Sequence, residues 1–270
     1  MQKIILITFF SLFCIFLQAQ KVDTITVYST KMSKGIKNVV VLPSDYTATK
    51  KYPVVYLLHG HGGNYATFVR ATKKALPQVA SEKQIIFVCP DGQNSWYWDS
   101  PVNPKSQFET YVSSELIKYI DSKYSTVTSP KGRAVTGFSM GGHGGLWLGL
   151  RHPNVFGACG SMSGGVDIRP FPNNWNMKDH LGNYKGNEAV WNAHTVINQL
   201  DKIKSGASAI IIDCGTDDFF LKVNESLHKK MLEKKIPHDY IIRPGGHTHS
   251  YWDNALDYQI LFFSKFFNKK

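Results

Sequence analysis

Short apolar runs alternate with longer amphipathic stretches along most of this chain. Five runs are largely apolar, the pattern of strands buried on both faces of a parallel sheet: residues 52–58, 85–89, 134–136, 157–162 and 209–213. Patterns with helical spacing lie between and after these runs, at residues 65–83, 108–123, 140–151, 221–235 and 254–267. A further strand pattern, residues 239–243, precedes the last helix. Strands that alternate with helices predict a doubly wound, mostly parallel α/β sheet with helices on both faces.

Two more strands are expected before this alternation begins. Residues 24–28 alternate polar and apolar side chains, and an apolar run follows at residues 37–42 and ends at Pro43. Together they predict a hairpin at the edge of the sheet with one face covered.

The first 19 residues have the composition of a secretory signal peptide. A short basic start ends at Lys3, an almost unbroken apolar run covers residues 4–17, and the small residue Ala19 precedes polar positions. The run is too short and wrongly flanked for a membrane span, and no later stretch is apolar enough for one. We therefore expect cleavage near Ala19, a periplasmic or secreted location, no stable membrane insertion, and a single domain over residues 20–270.

The charge distribution bears on nucleic-acid binding, and the positions of the cysteines bear on disulfides and metal sites. The formal net charge is +11, but the lysines are scattered, which indicates a solvated basic surface rather than a nucleic-acid site. Beyond the apolar start, Cys89, Cys159 and Cys214 lie in strand-like runs without metal-type spacing. Buried free thiols are the expectation, with one disulfide left open.

Residues 137–142, Gly-Phe-Ser-Met-Gly-Gly, carry the strongest chemical signal in the chain. They form a G-x-S-x-G pattern between a predicted strand and a predicted helix. Such an elbow holds its serine, here Ser139, in a strained backbone conformation with the hydroxyl at the tip of the turn. The helix start that follows supplies positive N-terminal polarity. The pattern therefore predicts Ser139 as a nucleophile.

A serine nucleophile needs a base and an orienting acid, expected in the order serine, acid, histidine. Asp217 and Asp218 both follow the buried strand 209–213 and both qualify as the acid. His247 and His249 both lie in the glycine-rich loop after strand 239–243. His247 is favoured as the base because it directly follows the Pro-Gly-Gly turn, and His249 is expected to line the same mouth.

The oxyanion formed in such a mechanism needs two backbone N–H donors. One is expected from Met140, directly after the nucleophile, and the other from the glycine-rich loop 59–63 after the strand 52–58. We assign the second donor to His61, with Gly62 as the alternative.

Two His-x-His pairs, 59 with 61 and 247 with 249, invite comparison with a metal site, since alternate residues on an extended chain face the same way. A third ligand with fitting spacing is not evident, and the serine mechanism accounts for both pairs. Neither a metal nor another cofactor is therefore expected.

In its motifs and their order, the chain resembles the esterase D-like branch of the α/β-hydrolases. That branch includes feruloyl and acetyl-xylan esterases, S-formylglutathione hydrolases, tributyrin-type esterases and mycolyltransferases. The matching motifs span nearly all of the chain after residue 19 and lie at residues 56–60, 90–98, 137–142, 215–219 and 245–252. The resemblance implies an α/β-hydrolase fold and a triad of Ser139, Asp218 and His247. The chain departs from the pattern at His249, where many relatives carry an aromatic residue, so the choice between the two histidines stays open.

Aromatic side chains suggest the substrate class. Trp96 and Trp98, in the loop after strand 85–89, are expected to line the pocket and stack on a sugar or aryl ring, with interior packing as the alternative. Residues 171–204, rich in Asn, Trp and Gly and helical from about Glu188, are expected to be an insertion over the active-site mouth. Trp175 and Trp191 within it carry the same two interpretations.

These features predict a secreted serine carboxylesterase that removes acetyl or feruloyl groups from plant-type polysaccharides. Its expected partner is an ester substrate, such as an acylated polysaccharide. The alternatives are an acyltransferase of the mycolyltransferase type, which uses the same acyl-enzyme, and a surface glycan-binding protein with an idle triad.

Overall fold

The computed structural model describes residues 21–204 and 206–269. The predicted signal peptide, residues 1–19, lies outside these residues. Over the described chain the strands form one eight-stranded sheet in the order β1-β2-β4-β3-β5-β6-β7-β8. The strands are β1 Lys21–Ser29, β2 Lys34–Leu42, β3 Val54–Leu58, β4 Ile86–Pro90, β5 Arg133–Gly137, β6 Ala158–Met162, β7 Ala209–Gly215 and β8 Asp239–Arg243.

Most of the sheet is parallel. The edge hairpin β1–β2 is antiparallel, and β2 also pairs antiparallel with β4. From β4 to β8 all neighbours are parallel, and the central strand β3 is in register with both neighbours through Val54, which lies opposite Ile86 and Arg133. The prediction of a mostly parallel α/β sheet, with a hairpin at one edge, is confirmed.

Helices cover both faces of the sheet, as the alternating pattern predicts. One face packs against α1 and α9, and the other packs against α2–α4, α8 and the segment that holds α5–α7. The helices are α1 Leu76–Lys83, α2 Phe108–Thr110, α3 Ile117–Lys123, α4 Met140–Arg151, α5 Lys178–Leu181, α6 Glu188–Ala193, α7 Val196–Gln199, α8 Leu221–Glu233 and α9 His249–Phe267. A π-helical stretch, Tyr111–Leu116, joins α2 to α3, so residues 108–123 form one helical segment.

Two helix predictions need correction. The expected helix over residues 65–83 is a π-helical turn, Phe68–Thr72, followed by a break and then α1. Pro77 lies in the first turn of α1, and proline is tolerated there but not inside a longer helix. The last helix begins at His249 instead of residue 254, because the Thr248 side chain caps it by accepting the N–H of Tyr251 (3.2 Å).

The central strands are buried on both faces, which explains their continuous apolar sequences. Cys89, Cys159 and Cys214 are buried in this core as free thiols. Within residues 21–204 and 206–269, no helix is both long and apolar enough to cross a bilayer.

Candidate active site

Ser139 lies at the sharp turn between β5 and α4. Its backbone has φ 57° and ψ −120°, a conformation that is strained for any residue with a side chain. The flanking glycines are required by the strand beside them: a Cβ at Gly137 or Gly141 would lie 2.2 Å or 1.9 Å from the carbonyl oxygen of Leu58. The close approach of β3 therefore explains why the G-x-S-x-G elbow has glycine on both sides of Ser139.

Three side chains from separate segments meet at this turn. Nε2 of His247 lies 2.8 Å from Oγ of Ser139, and Nδ1 of His247 lies 2.8 Å from Oδ2 of Asp218. An ionised carboxylate only accepts hydrogen bonds, so Nδ1 carries the hydrogen and donates it. Nε2 then presents its lone pair to the Ser139 hydroxyl, which is the arrangement needed to remove the serine proton.

The turn after β7 determines which acid reaches the histidine. The N–H of Asp218 donates to the carbonyl of Gly215 (3.2 Å), and its side chain is fully buried, with Oδ1 accepting the N–H of Phe220 (2.8 Å). Asp217 is exposed, and its own N–H donates to the carbonyl of Gly245 (2.9 Å). Of the two acids that the sequence left open, Asp218 is the one in contact with the histidine.

His249 takes a different place from His247. As the first residue of α9, it has Nδ1 2.9 Å from Oγ1 of Thr72, and its ring packs edge-on against Phe138 and Trp252. Burial lowers the pKa of His249. It lies at the wall of the same cleft, while the contact with Ser139 is made by His247.

Of the two residues assigned as oxyanion donors, Met140 directly follows Ser139 and His61 lines the same cleft. Met140 is the first residue of α4, where a helical N–H has no intrahelical acceptor. Within the described chain, no acceptor is found for the N–H of Met140 or of His61. The N–H of the alternative, Gly62, donates instead to Oδ1 of Asn94 (2.8 Å). The geometry therefore favours His61 over Gly62 as the second donor.

The side chains of the loop histidines hold the loop in place. His59 is buried, with Nδ1 donating to the carbonyl of Gly60 (2.8 Å) and Nε2 accepting the N–H of Gly92 (2.9 Å). Nε2 of His61 lies 3.0 Å from Oδ1 of Asn176 in the insertion. Among the described residues, no group of three or more His, Cys, Asp or Glu is arranged to hold a metal ion.

The space in front of Ser139, which we call the active-site cleft, has a volume of about 510 Å³. One part of its lining is the loop from Gly60 to Asn64, and another part, the aromatic wall, is formed by Trp175 and Phe219. Trp175 and Phe219 stack on each other there with ring centres 5.7 Å apart, and the ring centre of Phe219 lies 4.2 Å from that of His247. Phe219 is 52% exposed, which leaves its outer surface available to a substrate. The cleft is lined by Gly60, His61, Gly62, Gly63, Asn64, Thr67, Ala71, Phe138, Ser139, Trp175, Phe219, His247, His249 and Trp252.

The prediction that Trp96 and Trp98 line the pocket is wrong. Both are buried, they stack on each other with ring centres 5.5 Å apart, and each packs edge-on against His143. Trp96 and Tyr97 both have positive φ, so the loop turns there and both indoles enter the interior. Of the two insertion tryptophans, Trp175 reaches the cleft and Trp191 is buried.

Two residues of the site were missed by sequence reasoning. Asn94 holds the glycine-rich loop 59–63 through Gly62, and its only signal was its place in the loop after β4. Phe219 directly follows the acid, a position that the sequence could have flagged because the residue beside a triad acid lies next to the base.

His143 lies one turn after the nucleophile in α4 and is fully buried. Its Nδ1 lies 3.0 Å from the carbonyl oxygen of Gly165, which makes Nδ1 the donor. Burial lowers the pKa of His143 to about 3, so the ring is neutral at ordinary pH. It supports the interior beneath the elbow as an uncharged side chain.

Comparison with known proteins places this site in a family. A family model described as "Putative esterase" matches residues 29–263. A Mycobacterium tuberculosis esterase is 27% identical over 240 residues, which cover 77% of this chain and 52% of that protein. The chain thus spans about half the length of this relative. An acetyl esterase of Caldicellulosiruptor saccharolyticus is 24% identical over 254 residues, which cover 86% of this chain and 94% of the relative.

Solved structures lead to the same assignment. A ferulic acid esterase superposes with a TM-score of 0.78 and 28% identity, covering 92% of this chain and 98% of that one. The family model covers most of the chain, and the fold and the elbow agree with it. The chain therefore belongs to the esterase family of the α/β-hydrolases.

Proposed function

We propose that this protein is a secreted serine esterase that removes acetyl or feruloyl groups from acylated polysaccharides, with Ser139, His247 and Asp218 as its catalytic triad. The observation that carries the triad is the 2.8 Å contact between Ser139 Oγ and His247 Nε2, with Asp218 on the other side of the ring. The predicted signal peptide supports export.

The reaction has two halves. Ser139 Oγ bonds to the ester carbonyl carbon while its proton moves to Nε2 of His247, and the carbonyl electrons move onto oxygen. The N–H groups of His61 and Met140 stabilise that oxyanion. The carbon–alkoxide bond then breaks, His247 gives its proton to the departing alcohol, and an acyl-Ser139 remains.

Water completes the cycle by the reverse sequence. It attacks the acyl carbon as its proton moves to His247 Nε2, and collapse of the second tetrahedral intermediate breaks the bond to Ser139 Oγ. The acid is released and the serine regains its proton. Asp218 stabilises the imidazolium in both halves, because its buried carboxylate keeps the donor on Nδ1.

The substrate class is supported by the cleft and by the relatives. An acetyl esterase and a ferulic acid esterase are among the similar proteins. The aromatic wall formed by Trp175 and Phe219 offers a flat surface on which a feruloyl or sugar ring stacks. The glycine-rich loop from Gly60 to Asn64, which also lines the cleft, lets a substrate approach its backbone closely.

The test of the triad is Ser139→Ala assayed with p-nitrophenyl acetate. We expect kcat to fall by about 10³-fold or more with an unchanged fold, since the nucleophile is lost. The matched control is Ser161→Ala: Ser161 is buried in β6, and its Oγ has no partner among the described residues. Retention of most activity by Ser139→Ala would refute the proposal.

Substrate assays test the finer part of the proposal. Methyl ferulate, acetylated xylan and p-nitrophenyl esters of increasing chain length, each compared by kcat/KM, distinguish acetyl from feruloyl preference. Product analysis with added sugar acceptors reports transfer in place of hydrolysis. Turnover of neither natural-type ester, or transfer as the main reaction, would contradict the proposed substrate class.

A further inference from the structure

A buried carboxylate outside the triad lies beneath the active site. Asp213, in β7, is inaccessible to solvent and accepts two hydrogen bonds, one from the hydroxyl of Tyr251 (2.5 Å) and one from Nη2 of Arg243. Burial raises the pKa of Asp213, and the bonds from Tyr251 and Arg243 oppose that rise. Three elements, β7, β8 and α9, are thereby joined at one carboxyl group.

Each of these elements leads directly to a triad residue. Asp213 precedes the turn that carries Asp218, and Arg243 is the last residue of β8, just before the loop that carries His247. Tyr251 lies in the first turn of α9, directly after that loop. The carboxyl group therefore lies where the supports of the acid and of the base converge.

The backbones of the two loops are also joined to each other. The N–H of Thr216 donates to the carbonyl of Arg243, and the N–H of Asp217 donates to the carbonyl of Gly245, both at 2.9 Å. The Tyr251 ring packs closely against both loops. A Cβ added at Gly245 would lie 2.6 Å from the ring, and a Cβ added at Gly215 would lie 3.2 Å from it. A shift of the Tyr251 ring would therefore move the acid loop and the base loop together.

A contribution to folding stability is a weak explanation for the buried ion pair between Asp213 and Arg243. Replacing a buried ion pair by well-packed apolar residues is often neutral or stabilising, because burying charge is costly. Precise geometry gives a stronger reason, since a displacement of about 1 Å between catalytic groups can cost on the order of 100-fold in rate. The bonds at Asp213 fix direction as well as distance, which apolar packing would not do.

We propose that Asp213, Arg243 and Tyr251 form a positioning network that holds Asp218 and His247 at hydrogen-bonding distance from each other and from Ser139. The inference rests on the proposed function, because the triad is what the network positions. These three residues do not touch the reacting atoms. They act through the two loops, so their loss lowers turnover more than substrate binding.

The test is Tyr251→Phe, which keeps the ring and removes only the hydroxyl that donates to Asp213. We expect kcat for p-nitrophenyl acetate, per active site titrated with a fluorophosphonate, to fall by about tenfold or more. KM is expected to stay within about twofold. The matched control is Tyr240→Phe in β8, whose buried hydroxyl has no partner within the described residues, and its kcat is expected to match wild type.

Asp213→Asn supplies a second, independent variant. It keeps the shape of the side chain and removes the charge, and we expect a loss of kcat similar to that of Tyr251→Phe. Combined with Tyr251→Phe it should lose little more than the worse single variant, because both changes break one network. Additive losses would contradict a shared network. If Asp213→Asn does not fold, the kcat of Tyr251→Phe decides alone.

The outcomes separate this inference from the proposed function. If Ser139→Ala stays active, the triad itself is wrong. If Ser139→Ala is inactive and Tyr251→Phe turns over like wild type per titrated site, with only a lower melting temperature, the residues are structural and the positioning network is overturned. A fall in kcat at constant KM in Tyr251→Phe supports it.

Discussion

Asp218→Asn is the change whose effect the geometry defines most closely. The buried carboxylate accepts two N–H groups, from the backbone of Phe220 at Oδ1 and from Nδ1 of His247 at Oδ2, each at 2.8 Å. In an asparagine, the amide oxygen is needed by Phe220, so the NH₂ group faces His247. That NH₂ stabilises the tautomer with hydrogen on Nε2, which has no lone pair left to take the Ser139 proton.

The expected loss follows from that change of tautomer. We expect kcat/KM for p-nitrophenyl acetate to fall about 10⁴-fold, the size found when the orienting aspartate of a serine-protease triad becomes asparagine. This corresponds to about 5 kcal/mol of lost transition-state stabilisation. The fold should persist, because the two side chains have nearly the same shape and the Phe220 bond survives.

The assay compares kcat/KM, circular dichroism and thermal unfolding of Asp218→Asn with those of Asp217→Asn. The control removes an exposed carboxylate from the neighbouring position, so its activity should stay within about twofold of wild type. Loss of less than tenfold in Asp218→Asn, or a larger loss in Asp217→Asn, would refute the assignment of the acid.

Two further predictions concern the cleft and the interior. Phe219→Ala removes half of the aromatic wall, so KM for methyl ferulate should rise about 3- to 10-fold, the size of one aromatic pair, while KM for ethyl acetate, which has no ring, changes less than about twofold. Leu232→Ala, at an exposed position in α8, is the control, and equal effects on both esters would contradict an aryl-binding role. His143 stays neutral in the folded protein because burial lowers its pKa from 6.5 to about 3, whereas the unfolded chain binds a proton below about pH 6.5. The stability that the neutral His143 ring contributes is therefore fully present above about pH 6.5 and decreases as the pH falls. From about pH 6.5 to about pH 4 the free energy of unfolding should fall by about 3 kcal/mol because of this residue. His143→Asn, which keeps a donor for Gly165, should remove that part of the pH dependence. Urea unfolding across that range measures it, and an unchanged pH slope in the variant would show that His143 does not cause the loss.

Local sequence was sufficient to predict the position of the candidate nucleophile, because a single backbone turn places it. The elbow at Ser139 leaves a local signal of two glycines at a strand–helix junction, all within residues 133–151, although the strand that requires these glycines is β3. The sheet could also be predicted from the sequence, because strands buried on both faces leave continuous apolar runs. The final helix was predicted to begin too late, at residue 254, because Thr248 was not recognised as its N-cap.

Long-range packing could not be deduced in the same way. An aromatic loop has the same composition whether its rings face a cleft or the core, and the positive φ of Trp96, which turns it inward, leaves no pattern in the sequence. The aromatic wall joins Trp175 of the insertion to Phe219 after β7, and the carboxyl of Asp213 joins β7 to β8 and α9. Such partners become visible only when the chain is folded.

The most direct test of the central claim is to locate the covalent adduct of a fluorophosphonate. Phosphorus bonds to the activated hydroxyl as fluoride leaves, so only a nucleophile with a working base reacts rapidly. Trypsin cuts after Arg133 and Arg151 and releases residues 134–151, in which Ser139 is the only serine. We predict a stoichiometric adduct on Ser139 in this peptide, lost in His247→Ala. A folded protein that forms no adduct, or forms it on another residue, would contradict this prediction.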